Sequence, residues 1–545
     1  MKRRSFLLNT SAASLSIAAA TTLPACETAG NDKQLKTTTD VGPLADDFEF
    51  NETTIESLQQ QMAEGKLTSE ALTQAYLDRI AAIDKSGPKI NAVIELNPDA
   101  LTIAKKMDEE RKNGKLRGPM HGIPVLIKDN IDTADKMQTT AGSLALEGNI
   151  AKKDAFIVTK LREAGAVLLG KTNLSEWANF RSTSSTSGWS SRGGQTKCPY
   201  VLTHNPCGSS SGTGAGVAAN LCVVGIGTET DGSITCPASV NGLVGIKPTV
   251  GLWSRSGIIP ISATQDTAGP MARTVKDAAI LLEICRGEDE RDAVTKESPA
   301  RTKALYDEDL SDKGLQGKRI GVDLKRRSKH HQLNALLDAA LEDLKKQGAI
   351  MVEVEYVEAI DKLGEYETKI LQYEFKDGVN KYLAGANAKV KSLADVIAFN
   401  KANEEKAMPF FKQEQLENCE KTEGLASEAY KEAFTKGTLA SRKILTDLIK
   451  EHQLDAITGL TMGPGCAIDN LYGDRYSNDF LTGPAAMSGY PHISVPAGQV
   501  FGLPVGLSLF GAPYTEHDLI KMAYAYEQAT KKRVKPGFLK ELENS

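Results

Sequence analysis

Two glycine- and serine-rich turns, separated by a short apolar run, constrain the fold of this chain more than any other feature. They lie within residues 208–249, GSSSGTGAGVAANLCVVGIGTETDGSITCPASVNGLVGIKPT. The apolar run at 223–227 predicts a buried strand, because short apolar runs bounded by turn residues are typical of core strands. Such a strand holds the two turns at fixed positions, so that serines from both turns can belong to one site.

The two turns and one upstream lysine form a candidate catalytic set. The first turn contains Ser209 and Ser210, the second contains Ser233, and Lys128 ends the apolar segment GIPVLIK. A serine hydroxyl is a weak nucleophile until a base takes its proton. Lysine can be that base when burial lowers the pKa of its ammonium group far enough to leave it neutral. These residue types can therefore catalyse acyl transfer without a histidine.

Each part of this set also has an ordinary structural interpretation. Glycine- and serine-rich runs are usually flexible loops, lysine is rarely buried, and an aspartate such as Asp231 is typical of a turn. The joint presence of all three parts, with a predicted strand between the serine turns, favours the catalytic interpretation. Ser233 has no Gly-x-Ser-x-Gly elbow around it, and the absence of His-Glu-x-x-His and paired Cys-x-x-Cys motifs predicts no metal site.

Taken in order, Lys128, Ser209 and Ser233 resemble the catalytic residues of the amidase signature family. Lys128 lies in GIPVLIKDN, Ser209 in NPCGSSSG and Ser233 in TETDGSI, and further similarity extends from about Thr53 to YPHISVP and LPVGL near the C-terminus. The resemblance implies that Ser233 is the nucleophile and that Ser209 relays protons between Ser233, Lys128 and the leaving nitrogen. It also implies a cis peptide bond before Ser209.

The resemblance assigns the oxyanion hole to the second turn, Thr230, Asp231, Gly232 and Ser233. Successive backbone N–H groups in a tight turn can converge on one anion, and glycine permits the sharp bend. Asp231 stands where many members have glycine, and its carboxylate would oppose an oxyanion, so we expect its side chain to point away. Ser210 is expected to support the catalytic lysine by hydrogen bonding.

The segments at 179–196 and 205–212 resemble the peptide amidase branch, whose members hydrolyse C-terminal peptide amides. The reaction implied by the resemblance begins with attack of Ser233 on an amide carbonyl. Ammonia leaves, and water then hydrolyses the acyl-enzyme. No cofactor is implied.

Three alternatives stay open at this point. A fatty-acid or aryl amide hydrolase would use the same Ser-Ser-Lys site with a more apolar pocket. A glutaminase subunit that feeds tRNA amidation is disfavoured, because it would work in the cytoplasm with partner subunits. A non-catalytic binding lipoprotein is the alternative of another class, but it would have no reason to keep all three catalytic residues.

Apolar runs and helical periodicity alternate along the chain and predict an α/β protein. Core strands are expected at 126–128, 167–170, 223–227, 318–324, 350–354, 454–460 and 504–510, and helices at 55–64, 68–83, 154–163 and 332–347. This alternation favours a large mixed β-sheet core covered by helices on both faces, which is also the amidase signature fold that the resemblance implies.

The motifs of one site are spread along the chain, so we predict one large amidase domain at 51–535, followed by a C-terminal tail at 536–545. A polar, helix-rich stretch at 360–451 is expected to be an insert in this domain. We expect it to cover the mouth of the active site and to help set substrate choice. Its alternative interpretation is a structural helical layer.

The N-terminus has the pattern of an export signal. Twin arginines precede an apolar stretch that ends in Leu-Pro-Ala-Cys26, so residues 1–25 resemble a twin-arginine signal peptide with a bacterial lipobox. In this interpretation Cys26 carries a lipid and residues 26–50 form a flexible tether. The sequence thus predicts an exported, periplasmic or cell-surface enzyme anchored to a bacterial membrane, with a plain cleaved signal as the alternative.

Composition limits the partners of the protein. Charged residues make up 25% of the chain, its formal net charge is −5, and no basic patch is interleaved with aromatic residues, so we predict no nucleic-acid partner. Of the eight cysteines, an odd number remains after Cys26, which gives no simple disulfide framework. We expect buried free thiols at Cys222, Cys236 and Cys285, with Cys207 close to the active site.

Overall fold

The structure is a computed structural model that describes residues 46–298, 306–477 and 479–542 of the 545-residue chain. The predicted signal at 1–25, Cys26 and most of the predicted tether lie outside these residues, so export and lipid attachment stay predictions. In the described part of the chain, no helix is both long enough and apolar enough to cross a membrane.

Two sets of strands make up the β-structure, an eleven-stranded mixed sheet and a two-stranded hairpin. The strands are β1 (Val93–Leu96), β2 (Pro124–Lys128), β3 (Val167–Thr172), β4 (Trp189–Ser190), β5 (Gly194–Gln195), β6 (Val224–Glu229), β7 (Val244–Lys247), β8 (Thr267–Ala272), β9 (Arg319–Val322), β10 (Ile350–Glu353), β11 (Ala456–Leu460), β12 (His492–Val500) and β13 (Leu503–Phe510). The order across the large sheet is β1-β3-β2-β6-β8-β7-β12-β13-β11-β9-β10, and β4 pairs with β5.

The centre of the sheet is parallel and deeply buried. Strand β2 pairs in parallel with β3 on one side and β6 on the other, and all residues of these three strands are buried. Parallel strands covered on both faces are near-continuous apolar runs, which explains the apolar segments seen in the sequence. The carboxyl ends of β2 and β6 lie side by side, so the residues at these two ends meet.

Helices pack on this sheet and extend away from it. They are α1 (Ile55–Ala63), α2 (Ser69–Arg79), α3 (Ala100–Lys112), α4 (Phe156–Glu163), α5 (Ser211–Ala218), α6 (Thr235–Val240), α7 (Val275–Cys285), α8 (His331–Lys346), α9 (Val357–Asp361), α10 (Gly364–Gly385), α11 (Leu393–Ala402), α12 (Glu404–Ala407), α13 (Glu414–Glu420), α14 (Glu428–Phe434), α15 (Ala440–His452), α16 (Gly483–Ser488) and α17 (Glu516–Thr530). Helices α5, α6, α7 and α17 contact the sheet strands β6, β12 and β8. The predicted fold class, a large mixed sheet covered by helices, is confirmed.

The predicted strands and helices are present, with ends displaced by a few residues. Strand β3 continues to Thr172, two residues beyond its predicted end, because its last polar side chains find buried partners. Lys171 Nζ donates to the Ile131 carbonyl oxygen at 2.6 Å, and Thr172 Oγ1 lies 2.8 Å from Thr213 Oγ1. In a sequence, a polar residue normally marks the end of a predicted core strand. For β3, only the contacts with distant residues show that the strand continues through Lys171 and Thr172.

The predicted tether is wrong at its C-terminal end, where residues pack against the fold. Asp46 accepts a hydrogen bond from Arg79 Nη1 at 2.8 Å, and the Phe48 ring meets the Tyr76 ring edge-to-face at 5.4 Å between centroids. Phe50 is only 5% exposed. Packing of these two aromatic side chains stabilises the folded state. The segment therefore stays against the fold although the residues before it are polar.

The predicted tail at the C-terminus is also packed where the structure describes it. The Phe538 and Leu539 amides donate to the carbonyl oxygens of Pro199 and Tyr200, at 2.9 and 3.1 Å. Phe538 is buried, so the folded region continues beyond residue 535.

The two ends of the fold meet at a salt bridge between Glu52 and Arg533, with Oε2 and Nε 2.6 Å apart. Glu52 also accepts from Asn220 Nδ2 at 2.9 Å, just after α5. Arg533 Nη2 donates to the Ala218 carbonyl oxygen at 3.2 Å, and Arg533 Nη1 to that of Gly242 at 2.7 Å. Glu52 and Arg533 are thus both fixed at the C-terminal end of α5.

Candidate active site

The sheet places Lys128 at the carboxyl end of β2, between two parallel neighbours. In the register of these strands, Lys128 pairs with Thr172 of β3 and Ile127 pairs with Ile226 of β6. The apolar residues before Lys128 fill the core, so its side chain begins inside the protein. Lys128 was predicted to lie at the inner end of a core strand, and the structure places it there.

Lys128 is fully buried, and its ammonium nitrogen has three hydrogen-bond partners. Nζ lies 2.8 Å from Ser209 Oγ, 2.8 Å from Thr228 Oγ1 and 3.3 Å from the Thr228 carbonyl oxygen. Burial lowers the pKa of Lys128 to about 7, although the charges of Asp266 and Glu229 act in the opposite direction. A substantial fraction of this amine is therefore neutral near pH 7, as a general base requires.

Ser209 contacts the buried lysine, and the residue after it contacts the second serine turn. The peptide bond between Gly208 and Ser209 is cis, so the predicted conformation is confirmed. The next residue, Ser210, donates its backbone N–H to the Ser233 carbonyl oxygen at 3.2 Å, which ties the two turns together. The arrangement brings Lys128, Ser209 and Ser233 into one region.

Ser210 supports the lysine through Thr228 rather than by contacting it. Ser210 Oγ donates to the Thr228 carbonyl oxygen at 3.0 Å, and the Thr228 N–H donates to Ser210 Oγ at 3.2 Å. The same Thr228 carbonyl accepts from Lys128. Sequence reasoning missed Thr228, whose hydroxyl and carbonyl both hold the lysine, and no motif in the sequence distinguishes it.

Ser233 opens onto a cleft of about 710 Å³, whereas Ser209 and Lys128 lie behind it. Gly208, Thr230 and Asp231 also line this cleft. Among the described residues, no histidine lines it. The accessible serine is thus backed by a buried serine and a buried lysine, and Lys128 is the candidate base of this site.

The second turn has the backbone shape that an oxyanion hole needs. Gly232 has φ +75°, in the left-handed region that glycine adopts without strain. In the described part of the structure, the N–H groups of Asp231, Gly232 and Ser233 have no protein acceptor. Unpaired N–H groups in a tight turn are available to a developing negative charge on a substrate oxygen.

Glu229 fixes the end of this turn, and no role was assigned to it from the sequence. Its Oε2 accepts from the N–H groups of Ile234 and Thr235 at 2.7 and 2.8 Å, and the side chain is 1% exposed. A carboxylate that accepts two backbone N–H groups orients the first residues of α6. Ser233 immediately precedes them, so Glu229 is a positioning residue for the candidate nucleophile.

We predict that Glu229→Ala lowers kcat by about a hundredfold, because it frees the turn that carries Ser233. Loss of an acceptor for two buried N–H groups also lowers the free energy of unfolding by roughly 1–3 kcal/mol for each group. Glu229→Gln is the matched control, since its amide oxygen still accepts these hydrogen bonds. Its kcat should remain near that of the wild type, while the acid limb of its pH profile moves to lower pH, because the charge that favours protonated Lys128 is gone. Equal loss of kcat in both variants would contradict a positioning role.

Asp231 faces the cleft next to a second acid, Glu367, which comes from α10 in the predicted insert. Thr482 lies near Asp231 in the same cleft lining, and Asp231 Oδ2 lies 4.0 Å from the position that a Cβ on Gly483 would occupy. Glu367 Oε1 accepts from Gln265 Nε2 at 2.9 Å. Desolvation raises the pKa of both carboxyl groups, and the charge of Asp231 adds to the rise at Glu367.

Residues of the insert line the cleft, together with one residue just before it. Gly364, Glu367 and Leu371 of α10 line the cleft, as do Val357 and Ile360 of α9. Tyr476 and residues at the start of α16 also line the cleft. The insert was predicted to cover the mouth of the site; the structure shows residues of its first helices in the lining of the cleft, and the covering role stays a prediction.

Comparison with known proteins is consistent with this geometry. The sequence model of the amidase family matches residues 71–520. A probable amidase of Arabidopsis thaliana is 44% identical over 507 residues, covering 91% of this chain and 93% of the relative. This chain belongs to the amidase family, and it is an amidohydrolase.

Solved structures share the fold across most of the chain. The native peptide amidase from Stenotrophomonas maltophilia has a TM-score of 0.84 and 49% identity, covering 90% of this chain and 99% of that one. A peptide amidase in complex with the competitive inhibitor chymostatin has a TM-score of 0.86 and 50% identity, covering 90% of this chain and all of the other, 100%. The alternative of a non-catalytic binding lipoprotein is set aside by the family assignment.

Proposed function

We propose that this amidase hydrolyses the terminal carboxamide of C-terminally amidated peptides and releases ammonia. The observation that carries the proposal is a set of hydrogen-bonding groups, those of Asp231, Glu367 and Tyr476, placed among the apolar side chains that line the wide cleft at Ser233. A peptide backbone has N–H and C=O groups that need such partners, whereas an acyl chain does not. Similarity to two solved peptide amidases supports the same substrate class.

In the proposed reaction, Ser233 Oγ attacks the carboxamide carbon while its proton passes to Ser209 Oγ. Ser209 gives its own proton to the neutral Lys128 amine, which is 2.8 Å away. The oxygen of the tetrahedral intermediate takes hydrogen bonds from the N–H groups of the second turn. Ser209 then protonates the amide nitrogen and recovers a proton from Lys128, so ammonia leaves and an acyl-enzyme remains.

Water completes the cycle by the same proton path in reverse. It gives a proton through Ser209 to Lys128 as its oxygen attacks the ester carbonyl of the acyl-enzyme. Ser233 leaves with a proton returned by Ser209, and the product is a peptide carboxylic acid. The net reaction consumes one amide and one water and forms one acid and one ammonia.

The test measures ammonia release from three unsubstituted amides: an amidated dipeptide, a long-chain fatty-acid amide and an aryl amide. We expect the dipeptide amide to have the highest kcat/KM and Ser233→Ala to release no ammonia from it above the uncatalysed rate. A higher kcat/KM for the fatty-acid or aryl amide would reject the peptide-amide proposal and favour the corresponding alternative. Release of amino acids rather than ammonia from the dipeptide amide would also reject it.

A further inference from the structure

The first residue of the second turn is held by two consecutive side chains from just before strand β8. The Thr230 hydroxyl donates to Asp266 Oδ1 at 2.6 Å. The Thr230 carbonyl oxygen accepts from Gln265 Nε2 at 3.3 Å. Gln265 is fully buried and does not line the cleft. The turn that carries Ser233 is therefore fixed from behind, by residues that lie outside the lining of the cleft.

Helix α10 of the insert contacts the same segment, residues 261–266, at two points. Gln265 Nε2 donates to Glu367 Oε1 at 2.9 Å. Seven residues further along α10, Glu374 Oε2 accepts from Ser262 Oγ at 2.5 Å, and Glu374 is only 3% exposed. Residues that are seven apart lie on one face of a helix, so a single face of α10 holds this segment.

Asp266 makes the segment act as one unit between α10 and the second turn. Its Oδ2 accepts from the N–H groups of Ile261 and Ser262, both at 2.8 Å, and its Oδ1 accepts from Thr230. Hydrogen bonds to a carboxylate are stronger than those between neutral groups, so these donors stay at fixed positions. A displacement of α10 would consequently change the position of Thr230.

Gln265 takes part in this link only as a donor. An amide NH2 group carries two hydrogens, and those of Gln265 are directed to the Thr230 carbonyl and to Glu367. Among the described residues, Gln265 Oε1 has no hydrogen-bond partner. A side chain of the same length without N–H groups would therefore break both contacts while filling the same space.

The contact with the Thr230 carbonyl bears directly on the oxyanion hole. The C=O of Thr230 and the N–H of Asp231 belong to one planar peptide unit, in which the two groups point in opposite directions. A donor that fixes the carbonyl also fixes the direction of the N–H. The Asp231 N–H is the first of the three N–H groups in the second turn that are available to a substrate oxygen.

We propose that Gln265 is a positioning residue that ties the second turn to the insert, so that helix α10 influences the chemical step as well as lining the cleft. Without the Gln265 amide, the peptide unit between Thr230 and Asp231 can rotate. A catalytic group that is misplaced by about 1 Å can cost about a hundredfold in rate, and loss of one oxyanion-hole donor costs about a hundred- to a thousandfold.

The experiment compares full-length wild type with Gln265→Met, which keeps the length of the side chain and removes the donors. Fluorophosphonates react with activated serines whatever the amide substrate, so the rate of labelling does not depend on the peptide-amide proposal. We expect this rate to fall by about a hundredfold on the high-pH plateau. The acid limb should stay near pH 7, because the pKa of Lys128 is about 7 and Gln265 carries no charge.

A second readout separates positioning from binding. Of the three amides named above, the one that the wild type hydrolyses best is used. Its kcat should fall by the same factor as the labelling rate, and its KM should stay within about twofold, because the N–H groups of the second turn act on the transition state. A rise in KM with an unchanged kcat would overturn the proposal.

Variants of Glu367 test the link from the side of the insert. Glu367→Ala leaves Gln265 with one of its two acceptors, so we expect labelling to slow by about tenfold. Glu367→Gln should label at nearly the wild-type rate, because its amide oxygen still accepts from Gln265. This pair decides the question if Gln265→Met does not fold, and equal labelling rates in the two variants would overturn the proposal.

Gln413→Met is the matched control for Gln265→Met. Gln413 is a buried glutamine of the insert, and its Nε2 donates to the Ile397 carbonyl oxygen at 3.2 Å, within the insert itself. The variant should unfold at a lower temperature and keep the wild-type labelling rate. A fall in labelling as large as that of Gln265→Met, a wild-type labelling rate in Gln265→Met, or a displaced acid limb with an unchanged plateau would each contradict a positioning role for Gln265.

Discussion

Replacement of Ser233 by alanine is expected to lower kcat by about a millionfold and to abolish labelling by a fluorophosphonate. Ser233 is the member of the set that opens onto the cleft, so without its hydroxyl no acyl-enzyme can form. The fold should be retained, because the change removes one oxygen atom at the surface of a cavity. The measurements are ammonia release under saturating substrate and the mass of the protein after labelling.

Ser239→Ala is a suitable control for this variant. Ser239 is a buried serine of α6, and its Oγ accepts from the Gly506 N–H at 2.8 Å. Its loss should reduce the free energy of unfolding by roughly 1–3 kcal/mol. The rate of labelling should stay within the range of the wild type. If Ser233→Ala kept its labelling and Ser239→Ala lost it, the nucleophile would have been assigned to the wrong residue.

Lys128→Met is expected to lower kcat/KM by at least about ten-thousandfold at pH 8, because it removes the base and keeps an apolar stem of similar size. The wild type should show a matching pH dependence. The lysine must be neutral to act as a base, and its pKa is about 7. Activity should therefore fall about tenfold per pH unit below pH 7 and level off above it.

Lys171→Met tests whether the loss of kcat/KM is specific to Lys128 or follows from replacing any buried lysine. Lys171 lies on the adjacent strand β3, is fully buried, and donates to the Ile131 carbonyl rather than to either serine turn. Burial lowers its pKa as well. The variant should unfold at a lower temperature but keep the acid limb near pH 7. Loss of this limb in Lys171→Met, or its persistence in the residual activity of Lys128→Met, would contradict the assignment of the base.

Local pattern was enough to predict the central strands, whereas the catalytic role of Lys128, Ser209 and Ser233 stays a prediction. The apolar residues before Lys128 and before Thr228 favour buried strands, and the second serine turn follows directly from the strand that ends at Glu229. The cis bond at Ser209 came from the family resemblance alone, since no propensity of Gly or Ser indicates it. The features that could be predicted are therefore those determined by residues that are close together in the sequence.

The remaining features depend on contacts between distant parts of the chain. Glu229 caps the turn only because β6 ends where the amides of Ile234 and Thr235 face its carboxylate. Glu367 reaches the cleft because α10 packs along it, and the polar pattern of the insert does not show which of its acids turns inward. The packing of Phe48 and Phe50 was missed for the same reason, as their partners lie in other elements.

The salt bridge between Glu52 and Arg533 joins an early and a late segment of the fold. Glu52 and Arg533 hold each other and also hold the last turn of α5, whose first turn follows Ser209 directly. Chain termini are usually where unfolding and proteolysis begin. Here fraying of the segment at 46–52 or of the segment at 533–542 would release the far end of the helix that begins at the candidate active site. The stability of that site is thus linked to two residues that are 481 positions apart in the sequence.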